Sequence, residues 1–482
     1  MLGALFRRRE FGPSRIVMNE TPKLERGLGL VEATSLNMTF MVGIGPFVVI
    51  PFVIQAMGGG AWSLLAWAAG ALLAACDGCI WAELGAAMPQ AGGSYVFLRE
   101  VYGPQRWGRL LSFLFIWQTL LQGPLSIASG ALGFADYSAY LFEKSQRIAA
   151  IFAAPDWHAR NAIAGAVVVL VVALLYRRIT EIGKISLVFS VVIIGTILWI
   201  IWGGTLHLPA HSATQRVLDF SGGDTRLSWL LLVALGHGSV QTIYSYLGYY
   251  NVCNLGAEMK NPERNIPRAI FISILGITAL YLAMQASILR VIPWQEAARS
   301  KFIVSTFIER AYGSQWAELA TALILVTALG SVFSAMLGYS RVPYAAALDG
   351  NFLSIFARVH SKKHFPHVSL IALGAAAMVF SLAFSLFSVI RAILAMRCII
   401  QFIGQGVGLI VLRRRWGRDK LPFRMWLYPL PVVVAIIGWL GIFVSTGRTP
   451  MLASLAAATL GILVYLMRAR WARNWPFEES AE

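Results

Sequence analysis

The stretch MVGIGPFVVIP, residues 41–51, lies inside the first long apolar segment of the chain and carries two glycines and two prolines. In a helix interior a glycine costs about 1 kcal/mol relative to alanine, and a proline costs about 3 kcal/mol. A helix broken inside a bilayer also frees backbone groups that lipid cannot hydrogen-bond. We therefore expect a break at Gly43–Pro46, with the freed groups facing protein or a ligand cavity.

The composition of the chain is that of an integral membrane protein. Of its 482 residues, 57% are hydrophobic and only 13% are charged, whereas soluble proteins carry about 25% charged residues. The net charge of +17 does not indicate nucleic-acid binding, because lysine and arginine cluster at the ends of apolar segments, as topology signals do. No nucleotide-binding loop, metal-ligand spacing or Ser/His/Asp arrangement is visible. We therefore expect no metal, no cofactor and no enzymatic activity.

Twelve apolar segments between residues 32 and 467 have about the 20-residue length that a membrane-spanning helix needs. They predict an all-α protein that crosses the cell membrane twelve times. The predicted parts are a basic N-terminal tail (1–27), five helices (28–203), five more (227–412), two C-terminal helices (427–467) and a tail (468–482). With both termini in the cytoplasm, Arg7–Arg9, Lys362–Lys363 and Arg413–Arg415 all lie inside, as the positive-inside rule requires.

The sixth predicted span contains a second interruption, about 200 residues after the first. It reads TIYSYLGYYNVCNLGAEMKNP, residues 242–262, with polar residues and Gly248 in its middle. Two interruptions that lie five helices apart indicate two inverted five-helix repeats, with helices 1 and 6 broken and a substrate site near the middle of the membrane.

The chemistry of such a site follows from the broken backbone. The half-helix after the first break points its N–H groups and the positive end of its dipole into the cavity, where a carboxylate binds. Pro46 has no N–H to donate, so the expected donors are the amides of Gly45, Phe47 and Val48. Carbonyls freed in the sixth helix are expected to accept hydrogen bonds from an ammonium group.

Four stretches of the chain carry a family resemblance. They are LERGLGLVEATSLNMTFMVGIGPF (24–47), WAELGAAMPQAGGSYVFLREVYG (81–103), AEMKNPERNIPRAI (257–270) and SRVPYAAALDG (340–350). In this order they resemble the amino acid–polyamine–organocation (APC) transporter superfamily, and within it the L-type amino acid transporter group. The resemblance covers roughly residues 25–420. It implies a secondary transporter, or permease, that moves amino acids by alternating access as an antiporter or symporter.

The resemblance also implies which residues bind the substrate. By position these are Gly43, Ile44 and Gly45 at the first break, for the substrate carboxylate, and Tyr244, Ser245 and Leu247 at the second, for the amine. Tyr244 matches an aromatic residue that covers the substrate on the extracellular side in this family. Backbone groups are thus expected to hold the part that all amino acids share.

Lys184, in RRITEIGKISLVFS (177–190), matches a lysine near the start of the fifth helix in this family. There the resemblance implies a built-in substitute for the sodium ion of sodium-coupled relatives, linking the first helix to Ser331 of the eighth. The residues alone allow a second interpretation. Lys184 follows Arg177–Arg178 by about two turns, and a lysine at a helix end often extends its amine to the membrane interface. The implied role predicts sodium-independent transport.

Arg397, in AILAMRCIIQFIGQG (392–406), lies near the middle of the tenth predicted span. An arginine at this depth must face the bundle interior and find a partner there. Three interpretations are open. Arg397 forms an ion pair with Asp77 of the second span, or it faces the pocket and binds an acidic substrate group. In the third, Asp77 carries a coupling proton and nearby Arg397 adjusts its proton affinity.

The polyamine-uptake branch of the superfamily provides the alternative function, which is proton-coupled transport of a polyamine or another organic amine. That branch resembles the chain in the GPF of the first break and in an acid at the position of Asp77. Polyamines need carboxylates in the pocket, however, and the acids of that branch are replaced here by Val48–Pro51 and Tyr249–Tyr250. We therefore favour an amino acid. A membrane enzyme, the alternative from another class, would consume its substrate without moving it.

The expected partners are the amino acid substrate and the lipid bilayer, without nucleic acid. The predicted extracellular segment at 143–160 contains no cysteine. The disulfide through which eukaryotic L-type transporters join a glycoprotein subunit is therefore impossible there, and we expect no disulfide-linked heavy subunit. The sequence leaves open which amino acid is carried, the oligomeric state, and the choice among exchange, proton symport and facilitated diffusion.

Overall fold

The computed structural model describes residues 24–143, 158–206, 217, 229–383, 386–416 and 421–471. These residues are mostly helical, and the β-type contacts among them are two isolated bridges. Seven helices are long and apolar enough to cross a membrane, and one bent pair of shorter helices makes an eighth span if its halves count together. The all-α membrane fold is therefore confirmed in outline. The count of twelve spans and the inverted repeats remain predictions.

The helices follow one another along the whole described chain. In chain order they are α1 Leu30–Met41, α2 Gly45–Met57, α3 Gly60–Ala87, α4 Ser94–Tyr102, α5 Gly108–Glu143, α6 His158–Leu175, α7 Ile179–Leu206, α8 Trp229–Tyr246, α9 Asn251–Asn254, α10 Pro262–Val291, α11 Trp294–Ala297, α12 Ile303–Tyr312, α13 Ser314–Tyr339, α14 Arg341–Leu348, α15 His367–Ala383, α16 Leu386–Arg397, α17 Gly404–Trp416, α18 Leu430–Ser445 and α19 Arg448–Trp471. Most of the predicted tails, and most of the cysteine-free segment at 143–160, lie outside the described residues.

The first predicted break separates α1 from α2. The two helices are bent by 45° where they meet, and three residues between them, 42–44, are not helical. Pro46 stands in the first turn of α2, where a missing N–H costs nothing because that group has no partner inside the helix. Helix α2 ends at Met57 and is followed by Gly58, whose φ of 69° is left-handed, a common way for a helix to stop.

The second predicted break lies between α8 and α10. Helix α8 ends at Tyr246, residues 247–250 form a turn, and one short α-helical turn and one 3₁₀ turn lead into α10. Gly248 has a φ of 130°, which an L-residue with a side chain rarely adopts. A Cβ at this position would also lie 2.9 Å from the backbone nitrogen of Met41. Glycine is therefore required here, because the two interruptions touch.

Two ion pairs connect helix ends at the predicted cytoplasmic side of the protein. Glu258 accepts two hydrogen bonds from Arg341, at 2.8 and 2.9 Å, and both side chains are at most 1% exposed. Glu83 accepts two from Arg413, both at 2.6 Å. Removing one partner of a buried pair costs about 3–5 kcal/mol, so these contacts hold the frame around the two interruptions.

Candidate substrate site

A cavity lies between the two interruptions. The sequence-predicted residues that line it are Gly43, Ile44, Gly45, Tyr244, Ser245, Leu247, Ser331 and Arg397. Its volume is about 40 Å³, room for a few water molecules at roughly 10–15 Å³ each. Among the described lining residues Arg397 is the only charged one. The structure thus brings eight of the predicted site residues to one place, whereas Asp77 and Lys184 lie elsewhere.

The first break presents unused hydrogen-bond donors to this cavity. Among the described residues, the amides of Gly43, Ile44 and Gly45 have no backbone acceptor. The amides of Phe47 and Val48 differ from the expectation, because both bond to the carbonyl of Ile44 at 3.2 Å. The donors available for an anion are therefore the amides of Gly43, Ile44 and Gly45. The next amides, at the start of α2, are already bonded to a backbone carbonyl.

The close approach of helix α13 explains one of the two glycines in the break. A Cβ on Gly43 would lie 2.5 Å from Oγ and 2.8 Å from Cβ of Ser331. Ser331 is 7% exposed, and its hydroxyl donates to the carbonyl of Ala328 at 3.0 Å. Any side chain at position 43 would push α13 away from the break.

At the second break neighbouring side chains bind part of the backbone, whereas the amides of Gly248, Tyr249 and Tyr250 have no backbone acceptor among the described residues. The amide of Asn37 donates to the carbonyl of Tyr249 at 2.6 Å, and its oxygen accepts from the N–H of Val252 at 3.0 Å. The hydroxyl of Tyr281 lies 2.9 Å from the carbonyl of Met41 and 3.1 Å from that of Ser245. One tyrosine on α10 thus contacts both broken helices. Sequence analysis missed both residues, although buried polar groups in membrane helices are a signal.

Two acceptors on cavity-lining residues of the second break remain for a ligand. In the described part of the chain the carbonyl of Leu247, a residue that lines the cavity, has no hydrogen-bond donor. The residue Ser245 is only 1% exposed, and its buried hydroxyl has no hydrogen-bond partner. Buried polar groups are nearly always hydrogen-bonded. These two oxygens therefore point to a bound donor such as an ammonium group.

Tyr244 lines the cavity and contacts helix α5. Its hydroxyl lies 2.9 Å from that of Ser129 on α5, and both residues line the cavity. This contact joins the end of α8 to α5.

Arg397 reaches the cavity from the end of α16 and is 1% exposed. Its Nη1 donates to the hydroxyl of Tyr250 at 2.5 Å and its Nη2 to Ser126 Oγ at 2.6 Å, while Nη2 also contacts the hydroxyl of Tyr339. Its Nε has no partner. The ion pair with Asp77, one of the three interpretations, is not formed, and no carboxylate pairs with Arg397 among the described residues. The guanidinium is held by neutral hydroxyls beside the cavity.

A π-helical segment, Cys398–Ile403, follows Arg397 directly. Such segments leave the regular α-helical hydrogen-bond ladder and occur frequently at functional sites. Phe402 in this segment stacks on Trp439 of α18, with ring centroids 3.8 Å apart. The irregular turn after Arg397 is therefore packed against α18.

The predicted coupling lysine lies away from the cavity. Lys184 is exposed on α7, as the second interpretation, a lysine extended to the membrane interface, would place it. The hydrogen bonds between α7 and α1 are made by Ser190, whose hydroxyl lies 3.0 Å from that of Thr39 and donates to the carbonyl of Ser35 at 3.1 Å. None of the described hydrogen bonds joins Lys184 to Ser331.

A cavity between two interrupted helices is what the sequence predicts for a substrate site in a secondary transporter. The sequence profile of the amino acid permease family matches residues 28–466. The chain therefore belongs to the amino acid permease family, and the resemblance to APC transporters is confirmed.

Three relatives show the range of this similarity. The chain is 25% identical to the serine/threonine exchanger SteT of Bacillus subtilis over 92% of its own length and 96% of the relative. It is 27% identical to the human cystine/glutamate transporter over 85% of its own length and 78% of the relative. It is 24% identical to the human b(0,+)-type amino acid transporter 1 over 75% of its own length and 71% of the relative. All three are transporters. The chain is thus a multi-pass membrane transporter and not an enzyme.

Proposed function

We propose that this permease carries an amino acid whose side chain ends in a hydrogen-bond acceptor, with a carboxylate as the strongest ligand. The observation that carries the proposal is the guanidinium of Arg397, which lines the cavity without a carboxylate partner. Hydrogen bonds to charged groups contribute about 1.5–3 kcal/mol each. A substrate that supplies the missing anion therefore gains more here than an apolar one.

The other ends of the substrate would use the backbone groups of the two breaks. The main-chain carboxylate binds the free amides of Gly43, Ile44 and Gly45, aided by the dipole of α2. The ammonium group donates to the carbonyl of Leu247 and the hydroxyl of Ser245. Alternating access follows if the helices that carry the breaks move against α5 and α13 while the substrate stays between them.

The names of the relatives agree with a polar or acidic side chain. One is a serine/threonine exchanger and another a cystine/glutamate transporter. The alternative, a polyamine, is disfavoured because the described lining residues include an arginine and no carboxylate. Several positive charges next to a guanidinium would repel one another at short distance.

A thermal-shift screen of the purified protein tests this proposal. The panel holds the twenty amino acids, putrescine and spermidine. A ligand at a hundredfold excess over its dissociation constant stabilises the folded state by about 2.7 kcal/mol. We expect glutamate or aspartate, or a hydroxyl amino acid, to stabilise most. Stabilisation by polyamines alone would contradict carboxylate binding at the first break.

Substitutions of Arg397 then test the side-chain specificity. Arg397→Gln is expected to weaken binding of the acidic amino acid about ten- to hundredfold, since it removes a charge-assisted hydrogen bond. Binding of small neutral amino acids changes little. Arg397→Lys keeps the charge without the planar fork and is expected to retain part of the affinity. The matched control is Arg391→Gln, on an exposed position of the same helix. An equal loss for acidic and neutral ligands would overturn the assigned role.

Sodium-independent transport is a further part of the proposal. It is inferred from the role that the family resemblance implies for Lys184, and because Lys184 is exposed, only the sequence match at this residue, and no contact with Ser331, supports it. Replacing sodium with choline in vesicles is expected to leave uptake unchanged. A clear sodium requirement would count against it.

The predicted orientation, with both termini in the cytoplasm, also belongs to this proposal. It is supported by the distribution of lysine and arginine. Labelling of single cysteines added to the two tails of a variant without Cys76, Cys79, Cys253 and Cys398 tests it in intact cells. An impermeant reagent is expected to react only after the cells are opened. Purification of an active protein without a second subunit would agree with the predicted absence of a disulfide-linked partner.

A further inference from the structure

Asp77 is a buried acid next to the second interruption. It has no role in the amino acid binding proposed above. The residue lies on α3 and is 1% exposed. Its Oδ2 accepts a hydrogen bond from the hydroxyl of Tyr249 at 2.5 Å, and its Oδ1 has no partner. No described lysine, arginine or histidine forms an ion pair with it. An unpaired carboxylate in a membrane interior is unfavourable, so this site favours a carboxyl that carries its proton.

The surroundings of Asp77 contain no compensating cation at contact distance. The groups that face it are Cys76, Cys79 and Trp81 from its own helix, Tyr249 and Tyr250 from the second break, Cys398 from the tenth predicted span, and Trp439 of α18. Arg397 lies beyond Tyr250, to whose hydroxyl it donates. Both indole nitrogens, of Trp81 and Trp439, are buried, have no other hydrogen-bond partner and point towards the Asp77 carboxyl. They are donors placed to receive an ionised carboxylate, so the site is able to hold Asp77 briefly in either protonation state.

Asp77 is joined to the substrate cavity through the turn of the second break. Tyr249, its hydrogen-bond partner, belongs to the same turn as Leu247, which lines the cavity. The ring of Tyr249 packs edge-to-face on Tyr250, with centroids 5.2 Å apart, and Tyr250 accepts from Arg397. A carboxylate only accepts hydrogen bonds, whereas a carboxylic acid also donates one. A change of protonation at Asp77 therefore changes what holds this turn in place.

We propose that Asp77 binds and releases one proton in each transport cycle, so that a proton and the amino acid cross the membrane together. The proton arrives from one side, forms an O–H bond on the Asp77 carboxyl, and leaves to the other side when movement of the turn separates Tyr249 from Asp77. No other bond is made or broken. The inference rests on the proposed function, because it needs an amino acid bound at the neighbouring breaks.

The first test uses the unaltered protein in liposomes that contain a pH-sensitive dye. Uptake of the amino acid identified by the thermal-shift screen is expected to acidify the interior. A gradient of one pH unit is expected to drive about tenfold accumulation at one-to-one coupling. Accumulation of the labelled amino acid without acidification would overturn the role of Asp77. If no amino acid binds or moves at all, the proposed function itself fails, and that result is distinct.

The second test uses substitutions to distinguish the role of the Asp77 carboxyl from that of the residues around it. Asp77→Asn resembles the permanently protonated state and is expected to keep exchange of internal for external amino acid, while uptake driven by a pH gradient and acidification are lost. Asp77→Glu is expected to restore both in part. Tyr249→Phe is expected to shift the pH profile of uptake without abolishing it. The control is Cys76→Ala, the half-buried neighbouring residue.

Two outcomes of this second test are informative. If liposomes with Asp77→Asn acidify during amino acid uptake as much as liposomes with the unaltered protein, the proposal is overturned. If thermal unfolding shows that Asp77→Asn does not fold, the pH profile of Tyr249→Phe and the dye measurement on the unaltered protein decide the matter.

Discussion

Both interruptions leave three amides without a backbone acceptor among the described residues, but only the second is also held by side chains from four neighbouring helices. Asn37, Asp77, Tyr281 and Arg397 each bind a residue of the turn or of the end of α8. An unsatisfied buried backbone group costs free energy comparable to a lost hydrogen bond. We therefore expect the first break to depend more on a bound ligand, and the second more on the side chains that surround it. Mutations at the two places should have different consequences for stability and for binding.

The largest effect is expected from Asn37→Ala, which removes both hydrogen bonds that Asn37 makes to the second break. The carbonyl of Tyr249 and the N–H of Val252 are then left buried and unpaired. At about 1–3 kcal/mol for each group, the free energy of unfolding should fall by about 2–6 kcal/mol. Thermal unfolding in detergent measures it.

The loss should be the same with and without amino acid if the protein holds this break. The control is Asn265→Ala, which removes an exposed side-chain hydrogen bond to Lys260 and should have little effect. A loss that disappears when amino acid is added would show that the ligand, and not Asn37, completes the second break.

Gly43→Ala is expected to act on binding instead. Its Cβ would lie 2.5 Å from Ser331 Oγ, and overpacking of this kind costs about 1–3 kcal/mol. Because the break must widen, the amides move away from the substrate carboxylate and affinity falls up to about a hundredfold. Isothermal titration with the identified amino acid measures the loss. The double variant Gly43→Ala/Ser331→Gly removes the clash and should regain much of the affinity; no recovery would mean that the contact with α13 is not the cause.

Tyr281→Phe lies between these two cases, because one hydroxyl contacts a carbonyl of each break. Its removal leaves the carbonyls of Met41 and Ser245 short of a donor and should lower the free energy of unfolding by about 1–2 kcal/mol. Part of the loss should be regained when amino acid is added, since the ligand also bridges the breaks. Tyr140→Phe, which removes an exposed hydroxyl contact with Glu309, is the control. A loss that is unaffected by ligand would assign Tyr281 to the second break alone.

The positions of the breaks were predictable because glycine and proline act locally. Gly43, Pro46 and Gly248 mark them without knowledge of the fold, and the family resemblance supplied Ser331. The residues that satisfy the second break were not predictable in this way. Asn37 and Tyr281 stand in ordinary helical sequence, and only the packing of α1 and α10 shows which carbonyls they reach.

Lys184 shows the limit of a motif match, because a helix turns by about 100° per residue. Gly183, the preceding residue, faces α1, where its Cβ would lie 3.2 Å from Glu32. Ser190 is seven residues further, about 700° or nearly two full turns, and therefore faces α1 as well. Lys184 is one residue out of phase with both. A difference of one position is invisible in a short motif and decides whether a charge points into the protein or away from it.

Lys184→Ala is accordingly the smallest expected effect. A substitution at an exposed position changes the free energy of unfolding by less than about 0.5 kcal/mol, and uptake should stay within about twofold in sodium and in choline. Ser190→Ala removes the contacts with Thr39 and Ser35 and should lower uptake more. The opposite ranking, with Lys184→Ala inactive and Ser190→Ala active, would mean that α7 rotates during transport and brings the lysine to Ser331. The original sodium-substitute role would then describe a conformation other than this one.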